Sequence, residues 1–451
     1  MTKNKFLIIF GALFYLFLTL PCYQFLLINN KNDFNSSKPY ISNKVEFDIL
    51  FYNNYWVKFW GGSSTDYGYG ITLDLDSNIF VVGKTTSFGE GGNDIVLLKF
   101  SNNGELLWNR TWGGTSSDYG RAIASDSEGN IYVAGTTYSF GAGNTDMVLI
   151  KYDNSGNYIW NKTWGGILED HCYGIFIDNL DYIYISGHSY SFGLDNSSDI
   201  CVIKYNGQGI QQWNSTWGIS AYEYCYDDIV VDNQFNIYIG GVIQDPETYW
   251  NDLYLIKLNN NGDYMWSMSW GGDEQETGTS VILDSLGNIY LLGNTYSYGS
   301  GSSDFCLLKI SKSGVVQWNK TWGGDANDFG TDVVLDSCGN LYLAGSTSSF
   351  HVGEYDISLV KYTGSGEFNS YDVWGGPLFE ECREATIDSI GNIYLVGTTG
   401  SYGEGDDIFI LKYLQTSICF IPGYDILIFY LIIFFTVLIL LFKRTKNFKF
   451  H

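Results

Sequence analysis

Two patterns of hydrophobicity divide the chain. At its ends the apolar residues run almost unbroken, over residues 6–28 and 426–442, with Lys3 and Lys5 before the first run and Lys443, Arg444, Lys446 and Lys449 after the second. Between these ends, apolar and polar residues alternate in short segments separated by clusters of Gly, Asn, Asp and Ser, the pattern of strands joined by tight turns. That interior is periodic. Trp60, Trp112, Trp164, Trp217, Trp270, Trp322 and Trp374 each precede Gly, at intervals of 52, 52, 53, 53, 52 and 52 residues. A turn, Asp126-Ser127-Glu128-Gly129-Asn130-Ile131-Tyr132, recurs from Asp284 and from Asp388. A third element begins at Asp94, Asp146, Asp199, Asp252, Asp304, Asp356 and Asp407 and carries Lys99, Lys151, Lys204, Lys257, Lys309, Lys361 and Lys412. A fourth reads Trp-Asn-x-Thr-Trp, as in Trp108-Asn109-Arg110-Thr111-Trp112.

Each period therefore holds four short alternating segments, which predicts a four-stranded antiparallel meander. Such a sheet cannot bury both faces alone, and radial stacking of the units gives a β-propeller. A linear stack would need atypical capping repeats, and none is visible. The ends of the periodic region complement each other. The segment from Tyr55 to Trp60 is a Trp strand with no Asp-Lys strand before it, and the Asp-Lys strand Asp407–Tyr413 has no Trp strand after it. The expectation is an all-β, seven-bladed β-propeller of four-stranded antiparallel blades, closed by N-to-C strand pairing over residues 55–413. Around it the chain divides into a signal peptide or N-terminal membrane anchor (1–28), linkers (29–54 and 414–424), a transmembrane helix (425–442) and a basic tail (443–451).

The units Trp-Gly-Gly, Gly-Asn-Ile-Tyr-x-x-Gly and Asp-x-x-Leu-x-Lys resemble the SBBP, or seven-bladed β-propeller, repeat of bacterial and archaeal surface and secreted proteins. The resemblance covers nearly four-fifths of the chain and implies architecture, because that family carries no common catalytic motif. The tail also resembles the archaeal PGF-CTERM sorting signal, at Pro422-Gly423-Tyr424, with Tyr424 where that pattern has Phe.

Composition narrows the classes. With 53 Gly, 5 Pro, 14 Trp, 36 Tyr and 29 Phe in 451 residues, and 16% charged residues, the chain is too aromatic and too sparsely charged for disorder. Eight Cys without C-x-x-C argue against zinc and against a disulfide scaffold. The net charge of −25 makes nucleic acid an unsuitable partner. Bases flanking both apolar runs keep the two ends cytoplasmic, so the interior is expected outside the cell membrane.

Candidate chemistry starts with a ring of acids. Six residues after each Trp stand Asp66, Asp118, Asp170, Glu223, Glu276, Asp328 and Glu380, the fourth ambiguous with Tyr224. Converging at a channel mouth they would attract cations, Ca²⁺ first by its oxygen ligands. The favoured alternative is a loop carboxylate accepting backbone N–H bonds within each blade. The Asp-Ser-x-Gly-Asn turn is too short for a calcium loop and reads as a hairpin turn. The Gly-rich loops after the second segments lack the helix and Lys of a phosphate cradle. They share a face with Tyr138, Tyr190, Tyr249, Tyr296 and Tyr402, on which sugars could stack, although packing of these rings between blades is the preferred reading. Thirteen of the Trp repeat at same-face strand spacing and are read as inter-blade packing; Trp250 stands alone. Asp170-His171-Cys172 cannot form a triad by adjacency, since neighbouring strand residues face opposite ways. Asn35, Asn109, Asn161, Asn196, Asn214 and Asn319 open Asn-x-Ser/Thr sequons.

These features lead to a membrane-anchored cell-surface recognition or structural module, non-enzymatic, without a resident cofactor, with an unidentified protein or glycan ligand. The alternative is an extracellular hydrolase or lyase with its pocket at the channel mouth. An enzyme would be expected to break the repeat with His, Arg or Lys in one or two blades. The main departure, at residues 244–251 in the fourth repeat, brings no base or cation, which favours binding.

Overall fold

The computed structural model describes residues 55–193, 197–218, 222–225, 228–244 and 248–415. The two apolar runs, the linkers before residue 55, most of the linker after 413, Asn35 and Asn196 lie outside the described residues, and so do the expected flanking helices and the tail motif. Among the described residues no helix is long and apolar enough to cross a membrane.

The described residues form strands β1 to β29 in chain order, arranged as seven antiparallel sheets. The first blade is typical: β2 (Asp66–Leu73), β3 (Ile79–Thr85), β4 (Asp94–Phe100) and β5 (Leu106–Trp112) pair in that order. The first strands of successive blades touch one another around a complete ring and so form its inner wall. The seventh blade is composite. Its fourth strand is β1 (Tyr55–Trp60), which pairs with β29 (Asp407–Tyr413) from Tyr55 opposite Tyr413 to Trp60 opposite Ile408. The expected closure is present.

Burial explains why the ring forms. All seven residues of β4 are buried, so this strand is covered on both faces. Its outward neighbours come from the next blade: Phe80, Val82, Ile95 and Leu97 pack with Ile123, Ile131, Val133 and Val148. Six further clusters continue the pattern around the ring. At about 1.5–3 kcal/mol for each buried large aliphatic or aromatic side chain, the interfaces between blades are the core. The Trp residues complete them at the rim. Trp112 meets Phe140 of the next blade with ring centroids 5.0 Å apart, and Trp60 meets Phe88 at 5.2 Å.

The Asp-Lys pattern has a related cause. Lys99 on β4 is 6% exposed, and its Nζ lies 3.4 Å from Asp74, 3.3 Å from the Asn154 carbonyl of the next blade and 4.7 Å over the Phe80 ring. Lys151 repeats this with Asp126 at 3.6 Å and Tyr132 at 4.9 Å. A buried ammonium needs such partners. The Asp126 turn is a hairpin turn, with Oδ1 accepting the Glu128 and Asn130 N–H groups and Gly129 at φ +80°.

Two faces result. Turns between first and second strands, and between third and fourth, lie on one face; the Trp-Gly-Gly loops and the loops between second and third strands lie on the other, joined by bonds such as Thr86 N–H to the Thr65 carbonyl at 3.0 Å. Because Tyr55 pairs with Tyr413, the chain enters and leaves the ring on the turn face. The fourth blade departs from the rest. Its inner strand is split into β14 (Glu223–Tyr224) and β15 (Ile229–Val231), both paired with β16 (Ile237–Gln244). Glu223, buried and bonded through its N–H to the Ser198 carbonyl at 3.0 Å, takes the acid position that was ambiguous with Tyr224.

Deleting residues 55–60 leaves β29 as a bare strand edge. The truncated chain should show a lower thermal midpoint by circular dichroism and concentration-dependent association by light scattering; a monomer with an unchanged midpoint would contradict closure by β1.

Candidate functional site

The acidic ring is assembled blade by blade. Asp66 Oδ2 accepts the Gly62 N–H at 2.7 Å and the Ser87 hydroxyl at 2.7 Å, while Oδ1 accepts the Thr85 hydroxyl. Asp118 does the same with Gly114, Thr137 and Ser139, Asp170 with Gly166, Ser189 and Ser191, and Asp328 with Gly324, Thr347 and Ser349. Glu276 and Glu380 reach Gly272 and Thr295, and Gly376 and Thr399. All seven acids are fully buried. Apart from Glu223, each ties the Trp-Gly-Gly loop to the end of the second strand of its own blade, and among the described residues no group of three or more His, Cys, Asp or Glu is placed to hold a metal ion.

A second carboxylate approaches each of these loops from the neighbouring blade. A Cβ on Gly113 would lie 1.9 Å from Asp94 Oδ1 and 2.9 Å from Asp118 Oδ2, which is why glycine follows the Trp. The same pairing brings Asp304 to Asp328, Asp356 to Glu380 and Asp407 to Asp66. One oxygen of Asp304, of Asp356 and of Asp407 is buried without a hydrogen-bond partner. Burial, and then the facing carboxylate, raises the pKa of Asp94, Asp146, Asp356 and Asp407 and pushes Asp304 up to about 6.

The loop face also opens toward the channel. In most blades the inner strand carries a bulge after its third residue, seen as a register shift between Gly68 and Gly70 and between Gly120 and Ala122. The residue inside the bulge lines a cavity of about 300 Å³: Tyr69, Arg121, Tyr173, Thr279, Thr331 and Arg383. Asp228, Asp332 and Glu384 line it as well. The cavity is polarised. Arg121 and Arg383 lie 4.4 Å and 5.7 Å from the Tyr69 ring, and Lys84 lies 4.6 Å over Tyr67 and 5.5 Å over Tyr119. Arg383 pairs with Glu381 at 2.7 Å, whereas the Arg121 Nε has no acceptor. Across the channel, the Ser280 hydroxyl lies 2.6 Å from Asp332 and 3.1 Å from Asp228. Burial raises the pKa of both acids, and Asp228 raises that of Asp332 further. A hydroxyl has one proton to donate, so the bridge is complete when the pair itself retains one.

Arg121 and Arg383 correct the sequence-based search for a break in the repeat, which looked to residues 244–251 and found no cation. The signal was the third residue after each ring acid, where Tyr, Arg and Thr alternate instead of a consensus. In the 244–251 region the described Tyr249 and Trp250 are exposed.

The remaining candidates are dispersed. Tyr138, Tyr249 and Tyr296 are exposed, Tyr190 contacts the Tyr224 hydroxyl at 3.3 Å, and Tyr402 stacks on Trp374. Asn109, Asn214 and Asn319 are exposed on fourth strands and Asn161 is partly buried. Cys172 and His171 point to different surroundings: Cys172 is fully buried, and burial lowers the pKa of His171, which lies 3.6 Å from Glu169. Cys338 is disulfide-bonded, and Cys172, Cys201, Cys225, Cys306 and Cys382 are free thiols.

Comparison with known proteins agrees with the blades. The SBBP model, described as a beta-propeller repeat, matches residues 56–89 and 112–141. The chain carries SBBP repeats. A stretch of 132 residues is 30% identical to the regulatory protein FlaEY of Caulobacter vibrioides, covering 26% of this chain and 14% of that protein. Among solved structures, the Pan2 WD40 domain of Neurospora crassa is similar with a TM-score of 0.48 at 8% identity, over 78% of this chain and 90% of that one. A Dyadobacter fermentans protein of unknown function gives 0.46 at 11%, over 79% and 98%. The gluconolactonase XC5397 of Xanthomonas campestris gives 0.36 at 10%, over 63% and 89%. At such scores none of these bears on chemistry.

The buried carboxylate pairs set a pH dependence. Their folded-state pKa values lie above the ordinary 3.8, so the stabilisation they confer is complete below that value and is lost as pH rises through about 6. Asp153, held low by the Asn157 N–H groups, acts in the opposite direction, its contribution being lost below 3.8. Within the same window two histidines act against the carboxylate pairs: burial lowers the pKa of His171 and pushes that of His188 down to about 3, so both take stability away as pH falls below 6.5. The contribution of one carboxylate is isolated by substitution: Asp304→Asn should raise the thermal midpoint at pH 7.5 more than at pH 5, by differential scanning calorimetry. An Asp304→Asn gain that is the same at both pH values would contradict this.

Proposed function

We propose that this chain is a membrane-anchored, extracellular recognition module that binds a glycan or protein at the loop face of its propeller and catalyses no reaction. The polarised cavity carries this reading: it offers Arg121 Nε as a donor and the Thr279 hydroxyl oxygen as an acceptor, neither with a partner, while ring acids such as Asp66 and Asp118 are held by bonds within their own blades. Three further features support the setting. The apolar, base-flanked ends agree with an exterior propeller. The described chain enters and leaves the ring on the turn face, which leaves the loop face free of both chain ends. A disulfide at Cys338 suits an oxidising exterior.

Two observations favour a second reading, an extracellular hydrolase or lyase: Arg121 and Arg383 break the repeat with a cation in two blades, as expected of an enzyme, and a pair of carboxylates faces them. Asp228 and Asp332, bridged by Ser280 and raised in pKa by burial, are the groups a general acid–base pair would use. The two readings separate by experiment. The purified full chain, applied to glycan and surface-protein arrays, should retain at least one ligand, and Thr331→Trp, which fills the cavity, should lower that signal at least about tenfold. Silence on both arrays would reduce the protein to a structural component. Product release from a bound polysaccharide, abolished by Asp332→Asn, would establish the enzyme.

A further inference from the structure

Three cations crowd one arc of the channel in a chain of net charge −25: Lys84 from the first blade, Arg121 from the second and Arg383 from the seventh. They share aromatic supports. Arg121 and Arg383 both lie against Tyr69, and Arg121 and Lys84 both lie against Tyr119. Only Arg383 has an acid in an ion pair among the described residues, Glu381 at 2.7 Å. Glu384 accepts the Ile71 N–H at 2.9 Å. Burial, with repulsion from Arg121 and Arg383, lowers the pKa of Lys84, as expected where like charges meet without full compensation. Tyrosine faces orient such cations without neutralising them.

The opposite arc has the complementary deficit. The Thr279 hydroxyl oxygen is buried without a partner, Thr277 and Thr331 stand beside it, and Asp332 accepts from Ser280 and from the Val333 and Ala385 N–H groups. A ligand satisfying both arcs carries an anion at one end and hydroxyl groups at the other. The volume of about 300 Å³ is at the lower end for ligand pockets and suits a single sugar ring.

On this basis, and resting on the recognition reading above, we infer that the channel cavity binds a carboxylated sugar residue, with Arg121 as the principal carboxylate ligand, Arg383 supporting it, Lys84 adding positive charge from outside the cavity lining, and the sugar hydroxyls meeting Thr279, Thr331 and Asp332. The planar guanidinium can donate two parallel bonds to a carboxylate, as it can to a phosphate, so the hydroxyl contacts on the opposite arc are what set a carboxylated sugar apart from inorganic phosphate.

The test is calorimetric titration of the purified full chain with glucuronic acid, glucose and inorganic phosphate. Glucuronic acid should bind saturably and at least about tenfold more tightly than either of the others. Arg121→Gln should weaken it at least about tenfold and Thr279→Val about threefold, with unchanged thermal midpoints. If Arg121→Gln fails to fold, Arg383→Gln provides the same comparison. Equal binding of glucose and glucuronic acid, equal binding of phosphate, or insensitivity to the arginine substitutions would each overturn the assignment. Absence of glucuronic acid binding while the arrays still record a ligand would overturn the sugar class and leave recognition standing; silence of the arrays as well would overturn both.

Discussion

Burial on both faces of every sheet is the constraint on which the rest of this molecule depends. A strand such as Asp94–Phe100 is buried along its whole length, so no blade has a solvent face to keep. Each sheet must be covered on either side by another, and a finite set of such sheets is satisfied only when the last meets the first. Pairing of Tyr55–Trp60 with Asp407–Tyr413 accomplishes this within one blade, joining the two ends of the periodic chain by a hydrogen-bonded ladder. The repeated Trp, the buried Lys and the turn Asp are consequences, since each caps an interface that would otherwise be open to water at its rim.

Closure also creates the features at which chemistry is possible. Fourteen carboxylates, thirteen of them buried and Asp252 partly so, lie two to an interface against glycine-containing loops, and the glycine after each Trp is required because a side chain there would collide with them. The acids secure the loops at the cost of crowding negative charge in dry surroundings, which is why oxygens on Asp304, Asp356 and Asp407 lack partners. The channel is the one place where the seven blades face each other rather than their neighbours. There the repeat relaxes, and differences between blades become a polarised cavity.

The architecture was legible in the sequence because it is periodic. A spacing of 52 to 53 residues, the Asp-x-Lys segments and the complementary ends required only the alternation of strand residues to become seven blades and a seal. The cavity was not legible for a local reason. A bulge between Gly120 and Ala122 turns Arg121 into the channel, against the strict alternation by which faces were assigned, and the same displacement turns Arg383. Residues 244–251 depart from the repeat through Pro246 and Trp250, whereas the residues that differ in charge sit inside a regular strand. Equal spacing of the ring acids left open both a converging cation site and the favoured loop carboxylate within each blade, because spacing carries no direction; the bonds from Gly62, Thr85 and Ser87 draw Asp66 into its own blade.

Closure is tested most directly by hydrogen exchange of the backbone amides in residues 55–60, measured on the intact chain beside those of the fourth strand Leu106–Trp112. The two strands occupy equivalent positions in their blades, and the account predicts protection of the same order. Exchange of residues 55–60 at the rate of an unfolded peptide, with Leu106–Trp112 protected, would contradict it.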